Sequence, residues 1–369
     1  MTTERETVLH LAGPVRLGDD DVRAEAWVVD GRLTFTRPTL PGRDVVRVEG
    51  WAVPGLVDVH CHVGLGATGA VSREEAVRQS VTDRDSGVLL QRDAGSPLDT
   101  GWVHERADLP RLVRCGTHVA RPKRYLRGYA VELEHVEDLP AQLAREAARG
   151  DGWVKVVADW IDRDEGERAD LRPLWPDDVL AVAFATVHAA GARVTAHTFS
   201  HEALPGLLAA GVDCLEHGTG LDDAQVAEVA RQGIAVTPTL MQVGRFDSIA
   251  ASADRYPVYA EHMRRMHARR YEHVRNLYDA GVRLLVGTDA GGTISHGLIA
   301  TECAELARCG IPPLEILAAA SWRTRAYLGV GPVAEGAEAD VVVYPADPAT
   351  DVAVLAAPSA VVLRGTRVT

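Results

Sequence analysis

The chain has 369 residues, 46% of them hydrophobic and 25% charged, which is the balance of a folded globular protein and excludes a disordered one. Lys and Arg number 39 against 52 Asp and Glu, and the formal net charge of −13 repels phosphate backbones and argues against nucleic acid as a partner. No apolar run reaches the roughly 18 residues of a membrane span, and the 5 cysteines are scattered without a CxxC pair, as reduced thiols of a cytoplasmic protein would be.

The opening MTTERETVLHLAGP carries charges of both signs and lacks the apolar stretch of a secretory leader. In VRAEAWVVDGRLTF, two alternating runs meet at Asp30-Gly31, a hairpin turn signal. The last stretch, ADVVVYPADPATDVAVLAAPSAVVLRGTRVT, is equally Val-rich and broken by Pro and Gly. Two β-rich ends predict one small β-sandwich domain built from residues 1–55 and 330–369, with the chain ends brought together.

The middle alternates. Strand candidates fall at 56–62, 87–93, 117–120, 153–158, 193–197, 212–217, 234–237 and 283–289. Helical patterns fill most of the gaps, at 73–84, 139–148, 176–190, 202–210, 223–232 and 256–280, and two more follow at 298–309 and 313–328. Gly191, Gly211, Gly233 and Gly281 stand where helices should stop. Strand–helix alternation argues for a parallel sheet. Eight such units predict an α/β fold of the (β/α)8 TIM-barrel type over residues 56–329, close to the ~250 residues such barrels use.

The chemistry gathers where those strands end. GLVDVHCHVGLG puts His60 and His62 two apart on the first strand, where side chains share a face. Two neutral imidazoles there make half of a divalent-metal site. VTAHTFS ends the fifth strand with His197, DCLEHGTG the sixth with His217, and LLVGTDAGG the eighth with Asp289. In a barrel these ends converge on one rim. By contrast His188, His262, His267 and His273 fall on helices and read as solvated positions. Lys155 lies inside the apolar run GDGWVKVVADW, the fourth strand. Burial depresses a lysine's pKa. The neutral amine that results can add carbon dioxide to give a carbamate, an anionic oxygen ligand.

This pattern resembles the metal-dependent amidohydrolase superfamily. The matching residues are His60-x-His62, Lys155, His197, His217 and Asp289, in that order and on the expected strands. The entry segment WAVPGLVDVHCH and the closing GPVAEGAEADVVVYPADP are similar as well, so the likeness covers nearly the whole chain. CLEHGT, TPTL and GTDAGGTISHG look closest to the imidazolonepropionase-like and prolidase-like members. Lys155 speaks for the binuclear branch and against imidazolonepropionase activity itself.

The resemblance implies two divalent ions, zinc foremost. One would be held by His60, His62 and Asp289, the other by His197 and His217, with carbamylated Lys155 and a hydroxide between them. It implies hydrolysis of an amide-type C–N bond in a small molecule such as a peptide-like substrate or an N-acyl amino acid, with Asp289 as the proton-transfer residue. A deaminase or a cyclic-amide or urea hydrolase uses the same scaffold, and a barrel that had lost its metals would serve as an interaction module. Homo-oligomers are frequent in the family. Tyr125, Tyr129 and His296 are candidate substrate contacts. The two tyrosines sit in a loop with Arg121, Lys123, Arg124 and Arg127, whose alternative reading is a solvated basic loop.

Overall fold

The computed structural model describes residues 8–39 and 41–369. The first seven residues, on which the expectation about a secretory leader falls, and Leu40 lie outside the described residues.

The two ends of the chain meet in two sheets. One runs in the order Arg32–Thr34, Ala26–Val29, Val8–Ala12, Val45–Glu49. The other places Ala360–Leu363 and Val341–Tyr344 beside Trp51–Pro54 and Val15–Arg16, so C-terminal strands pair directly with N-terminal ones. Leu9, Leu11, Val28 and Leu33 of the first sheet share one buried cluster with Val341, Val343 and Val362 of the second. The predicted hairpin is present. Val29 pairs with Arg32, and Asp30 and Gly31 take φ of 51° and 78°, the left-handed backbone that a two-residue turn requires.

Between these ends runs a parallel α/β array. Arg111–Arg114, Val88–Asp93 and Leu56–Cys61 form one parallel sheet. A second orders Ala130–Glu132, His118–Ala120, Trp153–Val157, Arg193–Thr198, Cys214–His217, Ala235–Thr237 and Arg283–Leu284. The strand predicted at 117–120 is present as His118–Ala120 and pairs forward to Trp153–Val157, whereas Arg111–Arg114 just before it, which pairs back to Val88–Asp93, was not predicted. The last strand is regular only at Arg283–Leu284, shorter than predicted. Its continuation still bonds to the first strand. Val59 N donates to Val286 O at 3.0 Å, Asp289 N to His60 O at 2.7 Å and His62 N to Ala290 O at 2.8 Å.

Helices cover the array because their apolar faces have nowhere else to go. Leu180, Ala183, Phe184 and Val187 of helix Asp177–Ala189 pack with Val154, Val156, Val194 and Leu215 of the strands. Asp222 and Gln225 close a reciprocal capping box at the start of helix Asp223–Gln232, and Gly233 ends it in left-handed backbone. The helix expected at 313–328 breaks into Pro313–Ala319 and Trp322–Tyr327, because Ser321 between them leaves helical backbone (φ −141°, ψ −106°) and its hydroxyl donates to Pro54 O at 2.8 Å. Two short helices, Leu240–Val243 and Phe246–Ala251, occupy the loop after Ala235–Thr237. Among the described residues no helix is long and apolar enough to cross a membrane. All five cysteines are free and buried.

Candidate active site

The six residues singled out by their strand positions lie together. His60 Nε2 and His62 Nε2 each lie 3.1 Å from Asp289 Oδ1. One ligand atom from each of these three side chains falls within 4.8 Å of the others, an arrangement that could hold a metal ion. The His217 ring centroid is 5.2 Å from that of His60 and 4.8 Å from that of His197. His217 Nε2 and His197 Nδ1 are 3.0 Å apart. Lys155, with no exposed surface, is joined to this centre through Glu216, whose Oε2 lies 3.9 Å from His60 Nε2.

The hydrogen-bond network fixes which nitrogens are free. His62 Nδ1 donates to Gly95 O at 2.7 Å. With that proton on Nδ1, Nε2 turns a lone pair toward the carboxylate oxygen of Asp289, and two electron-rich atoms 3.1 Å apart invite a cation between them. His217 behaves alike. Its Nδ1 donates to Thr239 Oγ1 at 2.6 Å, because the Thr239 hydroxyl proton is already given to Pro238 O at 2.8 Å. Its Nε2 is left for a ligand or for His197. His60 Nδ1 and His197 Nε2 are buried without any partner among the described residues.

Electrostatics supports neutral imidazoles. Burial pushes His60 down to about 3, against the opposing pull of Asp289. Burial likewise holds His197 and His217 well below the ordinary histidine value, with the other imidazoles of the site adding to it. Burial alone would raise Asp289, but His60, His62 and His217 outweigh it and keep this carboxyl well below the usual carboxylate range. Neutral imidazole and ionised carboxylate are the forms that bind divalent metals.

Backbone strain concentrates here. His217, Thr239 and Asp289 all have positive φ, at 66°, 46° and 58°. Such conformations cost a non-glycine residue roughly 1–3 kcal/mol and persist where the surroundings dictate them. At Gly287 the last strand passes so close to the first that a Cβ would lie 2.6 Å from His60 Cβ and 2.8 Å from His60 N.

Several participants were not read from the sequence. Glu216, fully buried, forms an ion pair with Lys155 and accepts from Thr195 Oγ1 at 2.8 Å. Its Oε2 lies 3.9 Å from His60 Nε2, and its Oε1 3.8 Å from Arg92. In a regular strand Glu216 and His217 would face opposite sides. The left-handed backbone of His217 turns its ring to the same centre. Burial lowers Lys155 to about 7, with Asp289 opposing it. Asp58 accepts from Thr288 Oγ1 at 2.6 Å and from His60 N at 3.0 Å, tying the histidine strand to the Asp289 strand. His118 stacks on His62 at 4.9 Å, and its Nε2 is buried and unpartnered. A polar residue in a buried strand was the available signal for it.

The candidate substrate residues divide. Tyr125 and Tyr129 line a small cleft that opens onto His62, His197 and Asp289, and Tyr129 Oη donates to Gly66 O at 3.0 Å. His296 is turned away from that cleft. Its Nδ1 donates to Asp83 Oδ2 at 2.6 Å, and its Nε2 is buried without a partner among the described residues. The basic loop is largely tied down, with Arg124 on Asp162 at 2.7 Å and Arg121 on Leu133 O at 2.7 Å. His273 is not solvated as expected. It is buried and bonds Gly218 O at 2.9 Å, next to His217. A larger cavity of about 670 Å3 lies elsewhere, between Gly281–Leu285 and the helices Pro313–Ala319 and Trp322–Tyr327, and contains none of these residues.

The amidohydrolase family model matches residues 51–368, from the strand before His60 nearly to the end of the chain. The chain belongs to the amidohydrolase family. It is thus a hydrolase acting on carbon–nitrogen bonds, from a family that is generally metal-dependent, and its His60–His62–Asp289 cluster suits such a metal. An uncharacterized protein of Mycobacterium tuberculosis is 52% identical over 362 residues, covering 98% of this amidohydrolase and 96% of the relative. Two solved structures share the fold. A Xaa-Pro dipeptidase with methionine in its active site superposes with a TM-score of 0.81 at 19% identity, covering 98% of this chain and 99% of the other. A prolidase complexed with N-methylphosphonate-L-proline gives 0.80 at 23% identity, covering 98% and 99%.

Proposed function

We propose that this amidohydrolase hydrolyses an amide-type C–N bond in a small molecule at the rim where His60, His62, Lys155, His197, His217 and Asp289 meet. The same reading closes the parallel strands of residues 56–329 into a (β/α)8 barrel and makes residues 1–55 and 330–369 an accessory β-sandwich. The hydrogen bonds from the Val286–Ala290 segment to the first strand support the closure. The dipeptidase and prolidase titles of two structural relatives support the peptide-like end of the substrate range.

The observation that carries the reading is the spacing of Asp289 Oδ1, 3.1 Å from two imidazole nitrogens, beside the His197–His217 pair. Ligands about 2 Å from one ion stand about this far apart. His60, His62 and Asp289 would hold one divalent ion, zinc foremost, and His197 and His217 a second, with Lys155, as its carbamate, between them. Ions so held supply an activated water and a Lewis acid for the amide carbonyl. The chain's own groups do the rest. Gly95 O and Thr239 Oγ1 keep the ligand nitrogens of His62 and His217 unprotonated. Asp289 Oδ1 is engaged by the histidines, which leaves Oδ2 to take a proton and pass it to the leaving nitrogen.

The test is to load the purified protein with zinc, manganese or cobalt and to assay N-acyl amino acids, dipeptides, ureas and cyclic imides. The reading expects cleavage that a chelator abolishes and metal restores. Equal cleavage by metal-stripped protein, or none of any substrate, would refute it.

A further inference from the structure

We propose that Glu302, a residue outside the cleft, sets which nitrogen of His217 is free for a ligand by holding Thr239 in its left-handed backbone. This rests on the hydrolase reading above and adds a positioning residue to it. His217 can face a metal through Nε2 only while Nδ1 carries the proton. The acceptor for that proton is Thr239 Oγ1, 2.6 Å away. Thr239 reaches it from φ 46° and ψ 56°, a conformation that a β-branched residue adopts only under constraint. Its hydroxyl is fixed as well, by donation to Pro238 O at 2.8 Å.

The constraint comes from the short helix that starts on Thr239. Gln242 N and Val243 N donate to Thr239 O at 2.9 and 3.1 Å. A helix of only four residues, Leu240–Val243, does not hold itself together. Its first two N–H groups, which a helix leaves without internal partners, end on the two oxygens of one side chain. Leu240 N donates to Glu302 Oε1 at 2.7 Å and Met241 N to Glu302 Oε2 at 3.0 Å. Glu302 stands on helix Ile299–Arg308 with no exposed surface. Leu240 packs in the same apolar cluster as Ile299, Cys303 and Leu306 of that helix. A carboxyl is a costly residue to bury in such a cluster, and the two N–H groups account for its presence there. The line of contacts runs from Glu302 through Leu240 and Met241 to Thr239, and from Thr239 Oγ1 to His217 Nδ1.

Glu302→Gln keeps the size of the side chain but leaves one acceptor oxygen and turns an NH2 group toward the other N–H. Burial pushes the Glu302 carboxyl up to about 8 against the pull of the two N–H groups, so the protein is studied at pH 9, where it is ionised. In the metal-free full chain labelled with 15N-histidine, long-range 1H–15N spectra read the tautomer of His217, assigned by the signal that His217→Gln removes. The native chain should show His217 protonated on Nδ1, and Glu302→Gln should lose that single tautomer. Titration with chelator-buffered zinc should find one ion weakened by about 10-fold or more in Glu302→Gln, and the same ion weakened in Thr239→Val. The double variant should be no weaker than Thr239→Val alone, because Glu302 acts through Thr239. Should Glu302→Gln not fold, Glu302→Asp, shorter by one methylene, is read by the same measurements. A shifted tautomer with no zinc uptake by the native chain would uphold the inference and count against the hydrolase reading. An unshifted tautomer in a folded variant, a native chain without the Nδ1 form, or zinc losses that add in the double variant would overturn the inference. Failure of both Glu302 variants to fold would also overturn it, by making Glu302 a residue of the fold alone.

Discussion

His296 Nδ1 donates to Asp83 Oδ2 at 2.6 Å, and the two side chains are only 5% and 2% exposed. Asp83 also accepts from Gly297 N at 2.6 Å and from Gln91 Nε2 at 2.7 Å. The pair therefore clamps the loop that follows Asp289 to helix Arg73–Asp85. Burial disfavours the imidazolium of His296, but Asp83 more than compensates, so its pKa is raised above 6.5. A raised histidine contributes stability that is complete below its unfolded value and lost as pH rises through its folded one. His296→Ala should cost about 3 kcal/mol near pH 6 and less near pH 9. Denaturant unfolding at the two pH values checks this; a cost that does not shrink with pH would contradict it.

Lys155 and Glu216 are joined as a buried ion pair. Removing one partner strands the other, so in metal-free protein Lys155→Met and Glu216→Gln should each destabilise, Lys155→Met by about 3–5 kcal/mol. The double variant should recover part of the loss. A double-mutant cycle measures the coupling, and additive losses would show that the two groups do not depend on each other.

Asp289→Asn preserves shape and removes the charge. Turnover should fall by roughly 10²-fold or more and metal affinity should weaken, with the circular dichroism spectrum unchanged. Retained turnover would remove Asp289 from proton transfer.

Gly287→Ala tests the close approach of the last strand to His60. The added methyl would stand 2.6 Å from His60 Cβ and must displace it. Overpacking of this kind costs about 1–3 kcal/mol. The variant should also lose metal affinity, and unaltered stability with full metal content would show that the strand yields without moving His60.

The parts of the site that were legible in the sequence share one property: each ligand type ended an apolar run. That holds for His60, His62, His197, His217 and Asp289, and Lys155 stood out as a charge inside such a run. Glu216 was passed over because alternation assigns it and His217 to opposite faces, and only the 66° φ of His217 reconciles them. Asp58 and His118 act through partners more than fifty residues away in Thr288 and His62, which no local pattern encodes. The pairing of His296 with Asp83 was not legible for the same reason, since Asp83 lies 213 residues earlier in the chain. The fold followed the strand–helix rhythm. The extra strand Arg111–Arg114 and the short last one escaped it because each is set by neighbours in space.

The most direct measurement is anomalous diffraction at the zinc edge from crystals of zinc-loaded protein. The account predicts one peak bound by His60, His62 and Asp289 and a second bound by His197 and His217, with density extending from Lys155 Nζ toward both. Peaks absent from these side chains, in crystals of protein that still hydrolyses amides, would contradict it.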